Sequence, residues 1–130
     1  MATPAVLALG LDPRFADFST MPQFTPQLIR SYVESEIAGV RQLGYAVDLH
    51  LIAPGEDGEA EVEAALRGKD YACVVIGAGL REAPEQFLLF ERILNLVHRL
   101  APQARVAFNT APGDTAEAIG RWVAPSAEQP

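Results

Sequence analysis

Residues Tyr71–Glu85 read YACVVIGAGLREAPE. Tyr71–Gly77 is almost unbroken in Val, Ile, Ala and Cys, a composition that suits a strand covered on both faces, as in a parallel sheet. Gly77 and Gly79 interrupt the run, and Pro84 marks the start of a helix. Strand, glycine-containing turn and helix together form the unit of an α/β protein, and the rest of the chain repeats it.

Three further strands are expected at Ala5–Leu11 (AVLALGL), Ala46–Ala53 (AVDLHLIA) and Arg105–Asn109 (RVAFN). The first is as continuously apolar as Tyr71–Gly77. The second alternates, with Val47, Leu49 and Leu51 on one face and Asp48 and His50 on the other, which fits an edge strand. Helical patterns lie between the strands. Thr25 and Pro26 open the first as N-cap and first helical residue. Leu28, Ile29, Tyr32, Val33, Ile37, Val40 and Leu43 keep a period near 3.6, and Gly44 ends it. A short helix over Glu59–Arg67 stops at Gly68. A third runs from Pro84 to Leu100, before Pro102. Asp114 opens the fourth, with Glu117 at capping-box spacing; it carries Ala118, Ile119, Trp122 and Val123.

The order βαβαβαβα predicts one three-layer α/β/α sandwich with a four-stranded parallel sheet in the order 2-1-3-4. The domain covers residues 1–124, and the tail 125–130 (PSAEQP) is expected to be disordered. A length of 130 residues suits one such domain. The 49% hydrophobic and 21% charged content excludes a disordered or fibrous chain. Cys73 is the only cysteine, which excludes a disulfide scaffold and a metal finger and fits a cytoplasmic protein. Met1–Leu11 has no basic flank, and no apolar run is long enough to span a membrane.

The net charge of -7 argues against nucleic-acid or anionic-membrane partners. Glu56, Asp57, Glu59, Glu61 and Glu63 are clustered, either as a solvated helix start or as a site for a cation or basic partner.

In an open parallel sheet, ligands bind beyond the carboxyl ends of the strands where strand order reverses. That places a site between the first and third strands, among Asp12, Arg14, Gly77, Gly79, Arg81, Asn109 and Thr110. The glycines permit positive φ and close backbone approach. Arg14 and Arg81 suit a small anionic or phosphorylated ligand. Asp12 reads either as an acid/base group or as a turn residue before Pro13, and Asn109 and Thr110 as ligand contacts or loop ties. Glu82 occupies the third glycine position of a dinucleotide fingerprint, so a dinucleotide is not expected. Asp12–Phe24 is long for a βα connection and carries Phe15, Phe18, Met21 and Phe24, as a lid or as a packing loop.

Several chemistries lack their residues. There is no Gly-x-Ser-x-Gly elbow and no Gly-Lys-Ser/Thr phosphate loop. His50 and His98 have no metal-ligand neighbours at workable spacing, so no metal is expected. Cys73, inside an apolar strand, is expected to be inert. A response-regulator receiver would need clustered acids after its first strand and a late lysine, but Lys69 is the last lysine. A flavodoxin would need a hydroxyl-rich loop after its first strand, where this chain has Asp12-Pro13-Arg14. No cofactor is therefore expected.

VVIGAGLR, FERILNLVHRLAP and AFNTAPGDTAEAI together resemble small uncharacterised Rossmann-like (flavodoxin-like) proteins of bacterial type. The resemblance covers about Tyr71–Trp122 and implies a fold without an activity. Two functional expectations follow from the residues. One is a small anionic ligand at the switch point, with or without chemistry on it. The other is a non-enzymatic homodimer through the apolar third helix or the aromatic loop.

Overall fold

A computed structural model describes residues 3–126. Its strands are β1 (Ala5–Leu11), β2 (Ala46–Ile52), β3 (Cys73–Ile76) and β4 (Arg105–Phe108). Its helices are α1 (Pro26–Gln42), α2 (Glu56–Gly68), α3 (Ala78–Arg81), α4 (Phe87–Leu100) and α5 (Thr115–Gly120). Turns of 3-10 helix at Pro13–Phe15, Pro84–Gln86 and Pro112–Asp114 lead into the connections that follow β1, α3 and β4. The sheet is wholly parallel in the order β2-β1-β3-β4, as the sequence predicts. This arrangement is compatible with a small α/β fold of Rossmann-like or flavodoxin-like type. Among the described residues no helix is long and apolar enough to cross a membrane.

Strand periodicity sorts the core into two clusters. On one face, Leu7, Leu9, Val74 and Ile76 pack with Val62 and Leu66 of α2 and Ile93 and Val97 of α4. On the other, Val6, Ala8, Cys73 and Val75 meet Ile37 and Val40 of α1 and Ala118 and Ile119 of α5. Ile93 is fully buried, and truncation to Ala at such a site costs about 2–5 kcal/mol.

The ends of α1 follow the expected chemistry. Thr25 Oγ1 accepts from Leu28 N at 3.1 Å, and Gly44 takes a φ of 109°. Other boundaries differ from the sequence reading. α2 begins three residues earlier than Glu59, because Gly58 belongs inside it. A Cβ at Gly58 would overlap the Ala53 carbonyl oxygen, so the glycine lets α2 close onto the end of β2. The glycine turn after β3 holds a helical turn of its own, α3, ahead of Pro84. α5 stops at Gly120, so Trp122 lies beyond it with 54% of its surface exposed. Asp114 does not cap through Glu117; its carboxylate instead accepts from Thr110 N and Oγ1 and Ala111 N.

The surplus apolar residues of α4 divide. Phe90 rests edge-on against Phe108, with ring centroids 5.9 Å apart, while Phe87 and Leu88 stay exposed. Of the expected tail, Ser126 N donates to Gly44 O at 3.0 Å, and 127–130 lie outside the described residues.

Candidate functional site

A crevice of about 220 Å³ opens at the carboxyl ends of β1 and β3, under α1. Its position is the point where strand order reverses, where an open parallel sheet leaves room for a ligand. The space comes from side chains that shrink along β1 on the α1 face and from a glycine just past the end of β3. β1 presents Val6, then Ala8, then Gly10 there. β3 presents Cys73, then Val75, and the chain continues to Gly77. On the opposite face the same strands carry Leu7 and Leu9, and Val74 and Ile76, with no such taper.

The walls are largely apolar. β1 gives Ala8, Leu9, Gly10 and Leu11; β2 gives Leu49 and Leu51; α1 gives Ile29, Val33 and Ile37. Pro13, Ala16 and Phe18 border it from the long connection after β1. Phe18 is half-buried, whereas Phe15, Met21 and Phe24 of the same connection are exposed. Glu36, Asn109 and Thr115 are the polar side chains of the lining.

Three of the residues expected at the site do line it: Gly77, Gly79 and Asn109. Gly77 has φ of -71°, and among the described residues only Gly44 and Gly55 take positive φ. Its role is close approach: Gly77 N donates to Leu9 O at 2.8 Å, and a Cβ there would stand 3.1 Å from the same oxygen. Asn109 is buried and engaged at both of its side-chain polar atoms. Its Oδ1 accepts from Ala78 N at 3.0 Å, and its Nδ2 donates to Thr115 Oγ1 at 3.0 Å. Thr115 Oγ1 in turn donates to Pro112 O at 2.8 Å. Asn109 thus ties the start of α3 to the start of α5.

The other expected residues lie outside the lining. Arg81 turns back to the sheet. Its Nη1 donates to Ile76 O at 2.8 Å and its Nη2 to Asn109 O at 2.6 Å. The guanidinium also lies over the Phe108 ring, 4.9 Å from its centroid. Glu82, with an exposed side chain, stands 3.7 Å from Arg81. Thr110 is bound to Asp114, whose carboxyl is held below its usual range chiefly by the Thr110 hydroxyl.

Asp12 is buried and caps the turn at Pro13–Phe15. Its carboxylate accepts from Arg14 N at 3.0 Å, Nε at 3.1 Å and Nη2 at 2.8 Å, and Arg30 Nη2 stands 3.3 Å away. The Arg14 hydrogen bonds hold its carboxyl below the usual range despite burial. A base so stabilised in its ionised form is poorly matched to proton abstraction near neutral pH.

Several other candidates are held by local contacts. His50 Nδ1 and Glu61 Oε2 are 2.7 Å apart, Glu63 pairs with Arg67, and Glu59 with Arg92. Asp48 accepts from Lys69 Nζ and Tyr71 Oη. Among the described residues no group of three or more His, Cys, Asp or Glu could hold a metal ion.

The alternate shrinkage Val6, Ala8, Gly10 is the sequence signal that points to the crevice, and it requires knowing which face α1 covers. Glu36 carries no such signal, since a glutamate in an amphipathic helix reads as solvated. Scanned against protein-family models the chain matches none, and a search of curated proteins finds no significant relative.

Proposed function

We propose that the protein binds a small, largely apolar molecule in the crevice at the carboxyl ends of β1 and β3. The observation that carries this reading is the lining itself. Apolar side chains from three strands, two helices and the long connection converge on a space of about 220 Å³. Ligand pockets typically run from roughly 300 to 1,000 Å³, and an apolar cavity of roughly 150 Å³ suffices for benzene. The crevice therefore suits a single ring with a short tail and is too small for a dinucleotide.

The sequence suggests an anionic ligand through Arg14 and Arg81. Both guanidinium groups are committed, one to Asp12 and the other to the carbonyls of Ile76 and Asn109. The lining holds a carboxylate and no cationic side chain. These features favour a neutral or cationic ligand over a phosphorylated one. Phe18, Ala16 and Pro13 form one rim, so the connection after β1 is the element that would close over a bound molecule.

A thermal-shift screen against apolar amines, alcohols and carboxylates, phosphorylated metabolites and nucleotides tests it. A ligand at a hundred times its dissociation constant adds about 2.7 kcal/mol to stability. Stabilisation by small apolar compounds, abolished in Val33→Phe, is the expected result. Stabilisation by phosphorylated compounds alone would restore the anionic class and sink this one.

A second reading has its own observation. Phe15, Met21, Phe24, Leu28 and Tyr32 are all exposed on the long connection and the first turns of α1. Apolar surface concentrated this way marks interaction sites, including homodimer faces. Light scattering across protein concentration tests self-association, and a strict monomer at high concentration would discard it.

A further inference from the structure

We infer that Glu36 selects for ligands that carry a cationic amine on an apolar body. The inference rests on the reading of the crevice given above and adds the chemistry of its occupant.

Glu36 lines the crevice from α1, next to Val33 and Ile37. The other two polar side chains of the lining spend their groups on the protein: Asn109 on Ala78 N and Thr115, and Thr115 on Asn109 and Pro112 O. Glu36 makes no hydrogen bond and no ion pair with any described residue. Its side chain is half-buried, so a ligand that fills the crevice displaces water from around it. A carboxylate losing water against apolar walls needs a replacement donor, and a charged donor serves best. An anionic ligand would meet like charge, and a purely apolar one would strip the carboxylate of solvent without return. A ligand with its ring against Val33, Leu49 and Phe18 and an ammonium group at Glu36 satisfies both parts of the lining. The net charge of -7 favours the approach of such cations at low salt.

The test uses the intact protein, phenethylamine and its uncharged counterpart phenethyl alcohol, with wild type and Glu36→Gln compared by calorimetry. Amide shifts in nuclear magnetic resonance locate the binding. The expected result is amine binding mapped to Gly10, Val33 and Gly77. Alcohol on wild type, and amine on the variant, should each be weaker by roughly tenfold or more. Equal binding of amine and alcohol to both proteins would overturn the role of Glu36 and leave the apolar crevice standing. Amine binding that maps to the acids of α2 would overturn it as surface attraction. No binding of either compound to the crevice would overturn the amine class and count against the crevice reading as well. Glu36 is on the partly exposed side of α1, and the variant's unfolding midpoint shows separately that it folds.

Discussion

The Arg81 guanidinium bridges the Ile76 and Asn109 carbonyl oxygens, at 2.8 and 2.6 Å, and so joins the ends of two neighbouring strands. β3 stops at Ile76 and β4 at Phe108, so these carbonyls lie where the sheet ladder gives out. Only 13% of the Arg81 side chain is exposed. Arg81→Ala removes two donors from partly buried acceptors and should cost about 1–3 kcal/mol. Arg81→Lys should recover little, because one ammonium lacks the planar fork that reaches both oxygens. Denaturant midpoints check this, and wild-type-like values for both variants would show that the clamp is idle.

Asp12 should contribute to an acid limb in stability. Its folded pKa lies below the ordinary value because Arg14, and to a lesser extent Arg30, favour the ionised form. The unfolded chain therefore binds more protons near and below a pH of about 4, and stability rises with pH through that window. The contribution is complete above the unfolded pKa and is lost as pH falls through the folded one. Asp12→Asn keeps an oxygen for Arg14 N but drops the charge, so its stability should fall less steeply on acidification. Asp48 and Asp114 are also held low, so the limb should shrink and not vanish. Unfolding midpoints of the two proteins measured from neutral to acid pH read the difference directly, and parallel curves would count against the role.

Cys73 should be silent in the folded protein. Burial pushes its thiol up to about 11, and the side chain is fully enclosed between β3 and the α1–α5 layer. The thiolate is the reactive form, so both its population and its access are suppressed. Thiol-reagent labelling at mildly alkaline pH should be slow in native conditions and immediate in denaturant. Fast native labelling would mean that this face opens readily.

Two helical glycines should respond in opposite directions. Gly58→Ala forces a Cβ into the Ala53 carbonyl and must push α2 away from the end of β2. It should destabilise by about 1–3 kcal/mol or more, the order seen when buried sites are overfilled. A methyl group added at Gly39 of α1 would meet nothing within 4 Å, so Gly39→Ala should stabilise by about 1 kcal/mol through helix propensity. Thermal unfolding of both variants checks the pair, and a stabilising Gly58→Ala would show that α2 does not need this approach.

The sheet was readable because its strands are chemically unambiguous. Runs such as AVLALGL and YACVVIG have no polar residue to dilute them, and the alternation in AVDLHLI correctly marks β2 as an edge. Helix starts were harder to read. Gly58 lowers helix propensity in any local reading, yet the contact with Ala53 requires it inside α2. α3 is too short for its four residues to show a period.

The position of the crevice was legible in the sequence, and the chemistry of its lining was less so. Topology puts a crevice at the carboxyl ends of β1 and β3, where the structure has one, with Gly77, Gly79 and Asn109 on its wall. An arginine after a glycine turn looks the same whether it awaits an anion or holds strand-end carbonyls, and only the folded geometry separates the two for Arg81. Asp12 and Arg14 are neighbours in sequence that satisfy each other, which no residue count reveals. Glu36 reaches the wall only because α1 packs over this end of the sheet, which no local pattern shows.

β1 carries two independent messages along one ribbon. Its odd-numbered side chains, Leu7 and Leu9, belong to the large cluster under α2 and α4, while Ala8 and Gly10 border the crevice. The sheet backbone separates the two, with Leu9 and Leu11 touching both. A wall residue such as Val33 or Leu49 can therefore be exchanged to reshape the cavity while the packing on the far side, which holds most of the large buried side chains, is left as it was. A scaffold divided in this way is open to redesign of what it binds without renegotiating how it folds.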